Sequence, residues 1–294
     1  MKYSIESEDL QVEVNSIGME LSSIRSKHSN QEYIWQGNPA FWTGQAPVLF
    51  PIVGALKNGQ MIHQGISYSL ERHGFVRDSP KPILIDSGTN FLRFGMTWDA
   101  ETLKIYPFKF SLEITFLLEG KSISIQHQIT NTGAGDEAML YSIGGHPAFN
   151  CPLKANESYE DYSLEFEKEE TAATWLIDPS GLISLEQKPM LDHTKNLPLH
   201  SHLFDHDALV FKNLKSRRVK LVHQKKGPVL AVDFQDFNYL GIWAKPAAPF
   251  VCIEPWLGIA DSVDSSQNLE EKEGILKLAS GQSDQKSYSI SILE

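Results

Sequence analysis

The sequence predicts an all-β protein, a large antiparallel β-sandwich, and three observations carry that expectation. Apolar and polar residues alternate with a period of two along several stretches. No window sustains an i, i+3, i+4, i+7 apolar stripe beyond about two turns. Turn formers, 20 Gly and 15 Pro, punctuate the alternating segments from end to end. Without helices to cover a parallel sheet, antiparallel sheets must cover one another.

The elements follow in chain order. Residues 10–14 alternate as a first strand. Residues 62–70 read as a short hairpin with Gln64-Gly65 at its turn. Phe110, Leu112, Ile114 and Phe116 alternate with Lys109, Ser111, Glu113 and Thr115, which gives a strand with one wet face. Glu119-Gly120 then turns the chain, and Ile123, Ile125 and Ile129 carry the pattern back. His127 shares their register and points inward. The acidic stretch 158–170 reads as an alternating strand, with 162–166 its clearest part. Further strands are expected at 219–223, 229–234, 239–243 and 250–253, and residues 288–293 close the chain. No repeat and no Gly/Ser/Pro linker divides the sequence, so residues 1–294 are expected to form a single β-sandwich domain.

Charge and composition exclude several classes of function. Lys and Arg number 26 against 37 Asp and Glu, a net charge of −11. Nucleic acid and anionic lipid both require a basic face that such a chain lacks. No apolar run approaches the roughly 18 residues of a membrane span. The opening MKYSIESEDL has no apolar core of a secretory signal. Cys151 and Cys252 are too few for a disulfide framework or a cysteine-based zinc site, and both read as small core residues. The expectation is a soluble, cytoplasmic protein that handles a small molecule or another protein.

Three segments crowd titratable residues among Gly, Pro and aromatics: Arg72-His73-Gly74-Phe75-Val76-Arg77-Asp78, Gly144-Gly145-His146-Pro147-Ala148-Phe149-Asn150, and Cys252-Ile253-Glu254-Pro255-Trp256-Leu257-Gly258 running on to Asp261. Each sets a polar group at the end of a strand on a restricted backbone, as proton transfer from a fixed position requires. Taken singly they are bland: a His at a strand end is usually a hydrogen-bonded structural residue, and Glu254 could mark its strand's exit to water. A cluster at His200, His202, Asp205, His206 and Asp207 has spacing compatible with a metal on a strand, and a solvated loop is its default reading. No metal-ligand set is evident in the three segments themselves. A phosphate-cradling Gly loop and a G-x-S-x-G nucleophile are both absent.

Taken in order, Pro47-Val48-Leu49-Phe50-Pro51-Ile52-Val53-Gly54, His73-Gly74-Phe75-Val76-Arg77-Asp78, Gly145-His146-Pro147-Ala148-Phe149-Asn150 and Glu254-Pro255-Trp256 make the chain resemble the aldose 1-epimerase (galactose mutarotase) family. Within it the chain is similar to the bacterial LacX-like branch. Leu278-Ala279-Ser280-Gly281-Gln282 is similar to the family's closing turn, with Ser and Gln replacing Pro and Glu. The resemblance implies a large antiparallel sandwich with a concave sugar-binding cleft and no cofactor. It implies His146 as general acid and Glu254 as general base, with His73, Arg77, Asp207 and Trp256 binding substrate. The implied reaction exchanges the α and β anomers of a hexose or hexose phosphate by ring opening and reclosure, with that sugar as the partner and no metal. Where relatives carry Arg after the P-I-V-G segment this chain has Ala55, a loss that Lys57, Arg72 or Arg77 would have to compensate.

Two other classes compete. A carbohydrate-binding or sensing protein would keep the cleft without the chemistry. A glycoside hydrolase would need two carboxylates where the motifs offer a His and a Glu.

Overall fold

The structure, a computed structural model, describes all residues 1–294. Strands dominate it. The only α-helix is the four-residue Thr102–Ile105, and the remaining helical turns are short 3₁₀ segments. Every pairing between strands is antiparallel. A 15-stranded sheet holds most of them, and a three-stranded sheet is formed by Lys2–Glu6, Leu10–Asn15 and Glu20–Ser26. The fold class read from the sequence is the one observed.

Alternation explains the register. Phe110–Glu119 and Ser122–Asn131 pair from Glu119 opposite Ser122 to Phe110 opposite Asn131. That phase buries Phe110, Leu112, Ile114, Phe116 and Leu118 together, each contributing roughly 1.5–3 kcal/mol by its removal from water. A slip of one residue would turn all five outward. The shorter hairpin pairs Gln60–His63 with Ile66–Ser69, and Gln64 and Gly65 both take positive φ at its tip. The largest hydrophobic cluster gathers 69 buried residues, from Ile5 to Ile292.

The structure also corrects the sequence reading. The stretch from Ser158 begins as a 3₁₀ turn, Tyr159–Asp161, held by a capping box between Ser158 and Asp161; only then does the strand Tyr162–Ile177 start. Its partner, Ile183–Pro198, is mostly exposed and contains Pro189, so neither alternation nor propensity announces it. Among the strands it pairs only with Tyr162–Ile177, Ile183 adding a single bridge to Ser262, and it forms an edge, where proline is tolerated. The strand foreseen at 250–253 runs on through Phe250–Leu257, so Glu254 lies inside it, 1% exposed, and does not mark an exit to water. His127 is fully buried as its register required. Its Nδ1 lies 3.3 Å from the Lys286 carbonyl and its Nε2 has no partner, so the interior histidine is only half satisfied.

Candidate active site

Two short strands, Ile143–Gly145 and Ala148–Asn150, both pair with Phe250–Leu257, with Gly144 opposite Trp256 and Ala148 opposite Cys252. Continued across the gap, that register sets His146 opposite Glu254. Pro147 has no N–H to give the ladder, but its carbonyl accepts the Ile253 N–H at 3.2 Å, while the His146 N–H donates to the Pro47 carbonyl at 3.1 Å. The two side chains meet with His146 Nε2 3.2 Å from Glu254 Oε2. Glu254 Oε2 and His146 Nδ1 are buried without a hydrogen-bond partner in the protein. Buried polar atoms are seldom left unpaired, and those that are need a reason.

These residues line a cleft of about 510 Å³ together with His73, Arg77, Asp207 and Trp256. All six side chains that the sequence singled out therefore share one cavity. Phe50 and Gly74 form a bridge, and a Cβ on Gly74 would fall 2.1 Å from the Phe50 carbonyl oxygen. Only glycine permits this approach, and its φ of +76° also favours glycine. His73 precedes it at φ +69°, an uncommon conformation for a side-chain-bearing residue and one that concentrates at functional sites. The Gly54 N–H donates to His73 Nδ1 at 3.1 Å. Nδ1 must then carry the lone pair, which leaves Nε2 as the N–H donor. Asp207 also takes positive φ, +72°, and accepts the Ala208 N–H at 2.8 Å.

Trp256 is almost fully buried and packs with Leu49, Val53, Ile183, Val210, Ile259 and Ala260. Its indole lies against Gly241, where a Cβ would stand 2.3 Å from the ring. Gly241 is also the residue opposite Glu254 on the neighbouring strand. Trp256 thus belongs to the cleft wall and to a small core at once. Two further aromatics were not foreseen as site residues. Trp42 stacks on His146 at 4.8 Å and 29°, and Trp243 meets both rings edge-on at 5.8 and 5.6 Å. Trp42 lies outside any alternating run, between Pro39 and Pro47, and that placement was the available signal.

Of the cations named as substitutes at Ala55, Arg72 and Arg77 line the cleft. Lys57 does not, because its Nζ donates to the Ser265 carbonyl at 2.9 Å. The loop carrying Ala55 is fixed from behind. The Ala55 carbonyl accepts the Asp261 N–H at 2.8 Å, the Lys57 N–H donates to Asp261 Oδ2 at 2.9 Å, and Lys272 Nζ reaches Asp261 Oδ1 at 2.8 Å and the Ile259 carbonyl at 2.6 Å. The Asp261–Lys272 pair is buried on both sides.

Burial sets the protonation of the cleft. Removal from water holds the His146 imidazole down at about 3, with a smaller push from Arg77. Desolvation lifts the Glu254 carboxyl well above the usual range; the Trp256 indole opposes this and the Asp207 charge adds to it. His73 is held well below its ordinary value by burial first, then by His146, Arg77 and Arg72. The shifts of His146 and Glu254 both favour the uncharged forms, so the His146–Glu254 pair shares a single proton.

The cluster at 200–207 lies on a loop, and no three of its donor atoms converge. His200 and His202 are exposed in a turn, not on a strand, and His202 Nδ1 pairs with Asp205 Oδ2 at 3.0 Å. Strand register instead brings Cys252 beside His146 and Glu254, with one donor atom from each within 4.8 Å of the others. Linear spacing hid this grouping, because His146 is over a hundred residues from the other two.

Comparison with known proteins agrees with this geometry. The sequence model described as aldose 1-epimerase matches residues 1–269. The chain is 40% identical to the plasmid and chromosomal LacX proteins of Lactococcus lactis subsp. lactis, over 100% of each chain. Among solved structures, a galactose mutarotase related enzyme from Lactobacillus acidophilus superposes with a TM-score of 0.94 at 32% identity, covering 100% of this chain and 98% of that one. A galactose mutarotase-like protein from Lactobacillus casei ATCC 334 gives 0.91 at 28% identity, with both chains fully covered. Family match, full-length relatives and a shared fold lead to one conclusion: the chain belongs to the aldose 1-epimerase family.

Proposed function

We propose that the protein is a cofactor-free aldose 1-epimerase that exchanges the α and β anomers of a hexose or hexose phosphate, acting as a single domain in the cytoplasm. The observation that carries this reading is the 3.2 Å approach of His146 Nε2 to Glu254 Oε2 in a sugar-sized cleft. The ring oxygen and the anomeric hydroxyl of a hexose hang on the same carbon. An acid for one and a base for the other must therefore be close neighbours. In the reacting form the pair's one proton sits on His146, so Glu254 removes the hydroxyl proton while His146 protonates the ring oxygen, and the C1–O bond opens to the free aldehyde. Rotation about C1–C2 and reclosure, with the two transfers reversed, delivers the other anomer. Trp42, stacked on His146, keeps the imidazole in place and out of water. His73 offers its Nε2 proton to the sugar, Asp207 takes hydroxyls, and Trp256 supplies an apolar wall.

Anomer-exchange NMR or polarimetry across a panel of sugars and sugar phosphates tests the reading, and exchange is expected to survive EDTA. A protein that binds a sugar but never accelerates exchange would be a binding module instead. Arg72 and Arg77 bear on substrate charge. In a chain of net charge −11 they place two cations at the cleft wall. A charge-assisted hydrogen bond to phosphate is worth about 1.5–3 kcal/mol, so hexose 6-phosphates should bind about tenfold or more tighter than the neutral hexose at low salt. Added salt and Arg77→Ala should each shrink that preference, as titration calorimetry would show.

A further inference from the structure

We propose that Cys252, Glu254 and His146 form a three-donor site for a soft divalent cation, zinc foremost, whose occupation switches anomer exchange off. The switching rests on the function proposed above; the binding does not.

The donors come from two pieces of backbone in fixed register. Cys252 and Glu254, two residues apart, point to the same face of Phe250–Leu257, and His146 stands across from Glu254. Their ligand atoms already lie within 4.8 Å of one another. Tetrahedral zinc with N, O and S donors holds them roughly 3.4–3.7 Å apart, so the three need to close by about 1 Å. All three residues are at least nine-tenths buried; Glu254 Oε2 has no hydrogen-bond partner, its near neighbour being His146 Nε2 at 3.2 Å, and His146 Nδ1 has none either. His146 and Glu254 line the cleft while Cys252 lies behind them, so a fourth ligand would enter from the cleft side, as in sites where zinc keeps an exchangeable ligand. One thiol, one imidazole and one carboxyl suit zinc, cobalt or copper, whereas magnesium and calcium need more oxygen donors.

Charge balance favours the same cation. Binding expels the Cys252 proton and the single proton of the His146–Glu254 pair, two in all. The dication is then met by one thiolate, one carboxylate and a neutral imidazole. The buried cluster is electrically neutral, which a low-dielectric site tolerates. With both lone pairs held by the metal, neither residue can carry a proton to or from the sugar.

The test is titration of the metal-free protein with Co²⁺ alone, followed by displacement with Zn²⁺. One equivalent of Co²⁺ should produce thiolate-to-cobalt absorption, which Zn²⁺ then removes. Calorimetry in buffers of different ionisation enthalpy should find two protons released per ion. Zn²⁺ should slow anomer exchange about tenfold or more, reversed by EDTA. Cys252→Ala, with Cys252→Ser as a second variant and circular dichroism to check folding, should keep exchange and lose both the absorption and the inhibition. No thiolate absorption at saturating Co²⁺, or equal zinc inhibition in the Cys252 variants, overturns the proposal. If the metal-free protein shows no anomer exchange, the functional reading fails by itself, and absorption and stoichiometry still decide the site.

Discussion

Replacing Glu254 by Gln is expected to lower kcat for anomer exchange by about 10²–10⁴, the usual worth of a positioned proton-transfer group, with sugar affinity changed only a few fold. Gln keeps the size and polarity of the side chain between Gly241 and His146 but cannot accept a proton. His146→Asn should cost about the same factor. The double variant should be little worse than the poorer single one, since the two groups act on one sugar in one step. Either single variant turning over at the parental rate would remove that residue from the mechanism.

The pH profile follows from the same pair. Its reactive form carries one proton between the two groups. Burial holds His146 near 3 and lifts Glu254 well above 4.5, so one proton stays on the pair across the interval between them. The rate should fall at low pH, when His146 takes a second proton, and at high pH, when Glu254 gives up the only one. This inverts the assignment that ordinary side chains would give, in which the carboxylate governs the acid limb. In Glu254→Gln only His146 still titrates, so the acid limb of whatever activity remains should vanish and the rate should fall as His146 loses its proton.

The second large effect concerns stability. Lys272→Met should destabilise the protein by about 3–5 kcal/mol, because it leaves the buried Asp261 carboxylate without its cation. The backbone N–H of Lys57 would remain as a partner, though a single amide does not balance a buried charge. Combining it with Asp261→Asn should recover most of the loss, since the pair would then be removed as a unit. Urea denaturation decides the matter: a lower midpoint at unchanged slope for the single variant, substantially restored in the double. If Lys272→Met leaves the midpoint where it was, the pair does not anchor the loop at Ala55.

How legible each part was depended on where its cause lies. The hairpin Phe110–Glu119 with Ser122–Asn131 could be read directly, because burying one face writes a period of two into the residues. Ile183–Pro198 could not, because an exposed edge strand buries too little to impose a pattern. The polar site segments could be picked out by their restricted backbones, and family resemblance supplied roles for their residues. Their meeting in one cleft is a property of register, which no single segment contains. Trp42 was missed because its partner is His146, over a hundred positions away, and nothing local requires a tryptophan there. Lys57 looked available for the opposite reason: proximity to Ala55 in sequence says nothing of the Ser265 carbonyl that occupies its ammonium group.

The pairing of Ile143–Gly145 and Ala148–Asn150 with Phe250–Leu257 has a consequence for how such a protein can diversify. His146 and Glu254 are spaced by backbone hydrogen bonds of the central sheet, and that spacing cannot drift without breaking the ladder. Arg72, Arg77 and Asp207 sit on connecting loops, which tolerate exchange far better. Under the proposed function, ring-opening chemistry would thus be heritable largely apart from sugar preference. If the proposed chemistry holds, a library randomised at positions 72 and 208 should yield variants whose preferred sugar changes while the pH limbs stay put, whereas changes at 77 and 207 should also move the limbs, since Arg77 lowers His146 and Asp207 raises Glu254.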